Sequence, residues 1–123
     1  MIIANPFVAV DNCKDQLSFY QGLFGGEVVV LRKQGDEVLN AEIRLGGSKI
    51  SFADTQAARP SAKGDNVRVF LRIEAEEEFH QVYEGLAAGG VVVTEAYKAP
   101  FNGLLGVVTD RNGVCWVLSY YRG

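Results

Sequence analysis

The sequence predicts an α+β fold of two βαβββ units. Three observations lead there. A stretch of the chain repeats itself at a constant offset. Each copy passes from a period of two to a helical period and back. Each copy then ends in a glycine-containing hairpin.

The repeat lays residues 8–30 over residues 71–93 without a gap, as the pairs Tyr20 with Tyr83, Gly22 with Gly85, Leu23 with Leu86 and Gly26 with Gly89 show. In the same register Val28, Val29 and Val30 fall on Val91, Val92 and Val93. A fixed internal period means two copies of one supersecondary unit. The predicted units run over residues 1–54 and 67–123 of a single domain. The polar stretch 55–66, with Pro60 and Gly64, is the expected linker.

The first element of each copy is a strand. Val8 and Val10 alternate with polar or small neighbours, as do Val69, Leu71 and Ile73. Those residues are expected to face a helix, which turns Asn5, Phe7, Ala9, Arg68, Phe70 and Arg72 to the other side. An amphipathic helix follows. Phe79, Val82, Tyr83 and Leu86 form one stripe in the second copy, and Leu17, Tyr20 and Phe24 form it in the first. Asn12 is the expected N-cap of the first helix, with Asp15 three residues on. Glu76, Glu77 and Glu78 suit the positive end of the second. The pairs Gly25-Gly26 and Gly89-Gly90 stop the two helices.

Strands at Val28–Leu31 and Val91–Thr94 come next, and then a hairpin closes each copy. Its arms are Leu39–Leu45 and Lys49–Asp54 around Gly46-Gly47 in the first unit. In the second they are Gly106–Thr109 and Val114–Tyr120 around Asp110, Arg111, Asn112 and Gly113. Tyr97–Leu104 reads as a loop before that last hairpin. One such unit can cover only one face of its sheet, so two units, or two chains exchanging units, are needed to enclose a cavity.

Composition narrows the function. The chain has 123 residues, 48% hydrophobic and 22% charged, with a net charge of −3. A mildly acidic chain with no Lys/Arg cluster is a poor partner for nucleic acid, whose phosphates must be neutralised. No apolar run reaches the roughly 20 residues a membrane helix needs, so no membrane partner is expected. The N-terminus lacks the basic start and apolar core of a signal peptide, and a cytoplasmic location is expected. Cys13 and Cys115 form no disulfide framework and no CxxC site. Cys13 stands at a predicted helix start, where a thiol can become reactive, but no histidine or second thiol lies near it in sequence. The single histidine, His80, falls within the second helix as a structural residue.

The strings Asn12-Cys13, Phe19-Tyr20 and Leu23-Phe24-Gly25-Gly26-Glu27-Val28 now carry a resemblance. So does the closing pattern Gly106, Asp110, Gly113, Trp116. Together they resemble the vicinal-oxygen-chelate (glyoxalase/bleomycin-resistance/dioxygenase) superfamily, and within it the PhnB-like group. The resemblance spans nearly the whole chain. It implies curved mixed sheets enclosing a concave small-molecule cavity, and a homodimer. In metal-dependent members it also implies a divalent ion held by the first and last strands of each unit. Here the family's ligand positions fall on Asn5, Arg68, Val117 and either Ser51 or Ala53. None is a good ligand for a catalytic divalent metal, and an arginine repels the cation. The expectation is therefore a metal-free small-molecule binding protein with no cofactor, the alternative being a metal-dependent lyase or dioxygenase-type enzyme. Arg68 and Arg72 beside Phe7 and Phe70 point to an anionic ligand. Asn5, Ser51, Cys115, Val117 and Phe101, the last as a closing aromatic, complete the candidate lining. No glycine-rich nucleotide loop follows a strand in a βαβ unit, so nothing in the residues supports a methyltransferase.

Overall fold

A computed structural model describes residues 1–58, 62–100 and 102–121. Strand β1 (Phe7–Val10), helix α1 (Cys13–Phe24) and strands β2 (Glu27–Gln34), β3 (Glu37–Leu45) and β4 (Ser48–Asp54) make the first βαβββ unit. A single turn, α2 (Thr55–Ala58), follows. The second unit repeats the order as β5 (Val69–Ile73), α3 (Glu76–Ala87), β6 (Val91–Ala99), β7 (Gly103–Thr109) and β8 (Cys115–Tyr121). The chain divides into compact units at Ala62/Lys63, inside the stretch expected to be a linker. Thr55–Ala58, expected to be part of that linker, is helical instead. Gln56 N donates to Asp54 Oδ1 at 2.9 Å and Thr55 Oγ1 to Asp11 Oδ1 at 2.6 Å, which ties the turn to the ends of β4 and β1.

Both sheets are mixed and open. Their orders are β1-β4-β3-β2 and β5-β8-β7-β6, with β1 parallel to β4 and β5 parallel to β8. A parallel pair needs a crossover, and the helix with the next two strands supplies it. α1 packs on β3 and β4, and α3 packs on β7 and β8. The helix-facing strand residues are apolar and buried: Val8, Val10, Ile43 and Phe52 in one unit, and Ile73, Val108, Trp116 and Leu118 in the other. Tyr20 is fully buried and stacks on Phe24 and Phe52 at centroid distances of 5.8 and 5.2 Å. In the second unit Tyr83 stacks on Phe79 at 6.2 Å, and its hydroxyl accepts from Ala96 N at 3.3 Å. Gly106 makes room for that ring, since a Cβ there would stand 3.0 Å from Tyr83 Cε2.

The pattern Gly106, Asp110, Gly113, Trp116 is explained by this packing. Asp110 is buried at the β7–β8 turn. Its Oδ1 accepts from Asn112 N at 2.8 Å and Val114 N at 3.0 Å, and its Oδ2 accepts from Trp116 Nε1 at 2.8 Å. One carboxylate thus closes the turn and satisfies a buried indole.

Three expectations are corrected here. Asn12 is not a side-chain cap. It sits in the left-handed region (φ 53) and bonds Asp15, while Asp54, at the end of β4, accepts from Cys13 N at 3.0 Å. The constant offset ends with the helices. The glycine packed against the neighbouring strand's carbonyl is Gly26, against Arg44, in the first unit, but Gly90, against Thr109, in the second. One extra residue therefore precedes β6. Val28 pairs with Ile43 on the helix side, whereas Val91 pairs with Thr109 on the other side. A slip of one residue reverses every side chain. Finally, Tyr97–Leu104 is no loop: Tyr97–Ala99 end β6 and Gly103 begins β7.

Among the described residues, no helix is long and apolar enough to cross a membrane.

Candidate functional site

Each sheet has one face that its helix does not cover, and strand alternation places the candidate residues there. In the first unit Phe7 pairs with Ser51, Ser51 with Glu42, and Glu42 with Val29. The next row is Lys49, Arg44 and Glu27. Phe7 is 63% exposed, and Asn5 precedes β1 in the open.

The chemically notable residue of this face is Glu42, a buried carboxylate. Arg44 Nε donates to its Oε1 at 2.9 Å and Arg44 Nη2 lies 2.8 Å from the same oxygen, while Lys49 Nζ lies 3.3 Å from its Oε2. Arg44 and Lys49 stand directly opposite each other, where like charges repel, and Glu42 neutralises one of them. The hydrogen bond from Arg44 lowers the Glu42 pKa below the usual 4.5. Contact with Lys49 adds to this, and together they outweigh the opposing effect of burial. A carboxylate with a depressed folded-state pKa stabilises the fold above its unfolded value and loses that contribution as pH falls through the folded value. Urea denaturation of wild type and Glu42→Gln from pH 7 to pH 3 is thus expected to show a stability gap above about pH 4.5 that closes on acidification. A gap independent of pH would show that the ion pairs contribute nothing.

In the second unit the rows are Phe70, Val117, Val107, Thr94 and then Arg72, Ser119, Leu105, Tyr97. The two arginines differ. Arg68 lies before β5 and is engaged locally: its Nε donates to the Asp65 carbonyl at 3.0 Å and its Nη2 is 3.6 Å from Asp65 Oδ2. Arg72 has its guanidinium carbon 4.6 Å from the centroid of the Tyr121 ring. Among the described residues it makes no ion pair and no hydrogen bond, so its donor fork is unoccupied. Phe70, two residues before it on the same face, is 60% exposed. Cys115 is on this face, opposite Thr109, and is buried. Phe101 lies outside the described residues.

The remaining candidates are structural. Burial pushes the Cys13 thiol up to about 11, and the neighbouring Asp54 carboxylate adds to the rise. A thiol so protonated is inert at neutral pH. His80 is exposed on α3, edge-on to Phe79 at 5.5 Å. Two recesses, of about 320 and 420 Å³, lie at equivalent places, one beside the start of α1 and one beside the start of α3.

Residues 2–118 match the profile of the glyoxalase/bleomycin resistance protein/dioxygenase superfamily. The chain belongs to that superfamily. Protein YjdN of Escherichia coli K12 is 23% identical over 96% of this chain and 95% of its own length. Among solved structures, protein PA1353 of Pseudomonas aeruginosa superposes with a TM-score of 0.85 at 20% identity, over the whole of both chains. A PhnB protein from Bacillus cereus superposes at 0.79 with 23% identity, over 97% of this chain and 99% of its own. At these identities the likeness shows a shared fold.

The strand pairings choose between Ser51 and Ala53 as the superfamily ligand position. Phe7 pairs with Ser51 as Phe70 pairs with Val117, so Ser51 is the structural equivalent of Val117. The four positions are then Asn5, Ser51, Arg68 and Val117. Valine offers no donor atom, Arg68 brings a positive charge, and asparagine and serine are weak neutral ligands. This set does not fit a divalent ion. Reasoning from sequence did not join Glu42 to Arg44 and Lys49 on the open face. The signal was present as the alternation of Ala41 and Ile43 with Asn40, Glu42 and Arg44.

Proposed function

We propose that this superfamily member binds an anionic small molecule and does so without a divalent metal. The observation that carries the reading is Arg72, stacked on Tyr121 with its fork unpaired. An arginine held by a ring keeps its planar donors oriented, and a carboxylate or phosphate is their natural partner. Phe70, Cys115 and Val117, on the same face of the second unit, complete the reading as lining. Arg68, held by Asp65, serves the loop. A cytoplasmic homodimer belongs to the same proposal. Strands β2 and β6 end their sheets and expose Val30, Leu31, Val91, Val92 and Val93, which a second copy would cover.

Elemental analysis of protein purified without chelators, followed by thermal melts with organic anions, tests it. The expected result is no stoichiometric metal and an upward melting shift with at least one anion, unchanged by EDTA. Sedimentation is expected to give twice the 13.4 kDa of one chain. A bound divalent ion whose removal abolishes the shift would favour the metal-dependent lyase or dioxygenase-type enzyme instead.

A further inference from the structure

The open face of the second unit also indicates what kind of anion it takes. We infer that the ligand is a monocarboxylate with a flat, apolar body, lying across the strands from Arg72 towards Tyr97. This rests on the reading of Arg72 as the anion anchor.

Three features define the class. The first is charge. Arg72 is the single uncommitted cation in its row. Arg68 is engaged by Asp65, and Lys98 pairs with Leu104 on the helix side of β6. Glu74 lies two residues beyond Arg72 and is exposed. One fork, with an exposed carboxylate two residues along the chain, matches a single negative charge and disfavours a dianion such as phosphate.

The second is the floor. Between Arg72 on β5 and Tyr97 on β6 the same face carries Ser119 and Leu105 in one row, with Val117 and Val107 in the next. Leu105 and Val117 are half-buried, and Phe70 and Tyr97 are 60% and 45% exposed. Such a surface favours a hydrocarbon body, and its exposed rings favour an aromatic one.

The third is length. Three strand spacings of about 4.8 Å separate β5 from β6, so the path from fork to tyrosine is roughly 14 Å. An aryl group on a short alkanoate chain fits within it.

Titration calorimetry with 4-phenylbutyrate tests the assignment. Wild type is expected to bind it saturably, 4-phenylbutyramide at least tenfold more weakly, and inorganic phosphate without measurable competition. Arg72→Gln is expected to weaken 4-phenylbutyrate binding at least tenfold. Val117→Thr, which keeps the side-chain shape, should weaken it without changing the preference for acid over amide. If phosphate competes and its binding needs Arg72, the anion anchor stands and the apolar monocarboxylate class is overturned. If the amide binds as well as the acid, or Arg72→Gln binds 4-phenylbutyrate like wild type, the anchor itself is overturned.

Discussion

Replacing Asp110 by alanine is expected to lower the unfolding free energy by about 3–5 kcal/mol, from the loss of several hydrogen bonds to a carboxylate and the stranding of a buried donor. The side chain is 3% exposed and accepts from Trp116 Nε1, Asn112 N and Val114 N. The indole is the most severe loss, because Trp116 is fully buried on the helix side of β8 and water cannot replace the bond there. Trp116 is also the only tryptophan in the chain, so its fluorescence follows the same contact through a urea titration. Asp110→Asn should cost less than alanine, because one oxygen still accepts while the amide nitrogen meets a donor. A destabilisation by Asp110→Ala of under about 1 kcal/mol, within the range of a surface substitution, would mean that this carboxylate does not hold the turn.

Gly103→Ala is expected to cost about 2–4 kcal/mol, the scale of a forced backbone shift. A Cβ at Gly103 would fall on the Tyr120 carbonyl oxygen and lie 2.7 Å from Tyr121 Cα. Neither atom belongs to a flexible side-chain end, so the end of β8 must move away from β7. Gly103 pairs with Tyr121, and the ring that supports Arg72 moves with it. The substitution should therefore weaken anion binding as well as stability. Gly47→Ala is the control, because nothing lies within 4 Å of its added Cβ. Equal melting temperatures for the two variants would refute the close approach. A destabilised Gly103→Ala with wild-type affinity would separate β8 packing from the Arg72 site.

The elements legible in the sequence were those whose evidence is local. The stripe Phe79, Val82, Leu86 and the alternation of Val8 with Val10 predicted buried faces, and those residues are buried. A helix or strand presents one side at its own period whatever it packs against. The repeat was legible for the same reason through the helices, where both units have the same length. It failed at β6 because one residue before a strand leaves the valine run looking aligned while reversing its faces.

The candidate faces of the two sheets were legible only in part. Phe7, Phe70, Ser51 and Val117 could be placed by alternation. Arg68 and Arg72 looked equivalent, four residues apart with the same side chain, and alternation alone could not tell which one is engaged.

From the sequence alone came the two-unit α+β fold, the superfamily resemblance and a set of metal positions without suitable ligands, because periodicity and residue type are properties of neighbours along the chain. Partner choice was decided by tertiary structure: Arg68 with Asp65, Arg72 with Tyr121, Glu42 with Arg44 and Lys49, and Asp54 with the first turn of α1. Hydrogen bonds and charge pairs act over a few ångströms. Except for the Asp65 and Arg44 contacts, sheet pairing and helix docking bring those atoms together from distant parts of a unit.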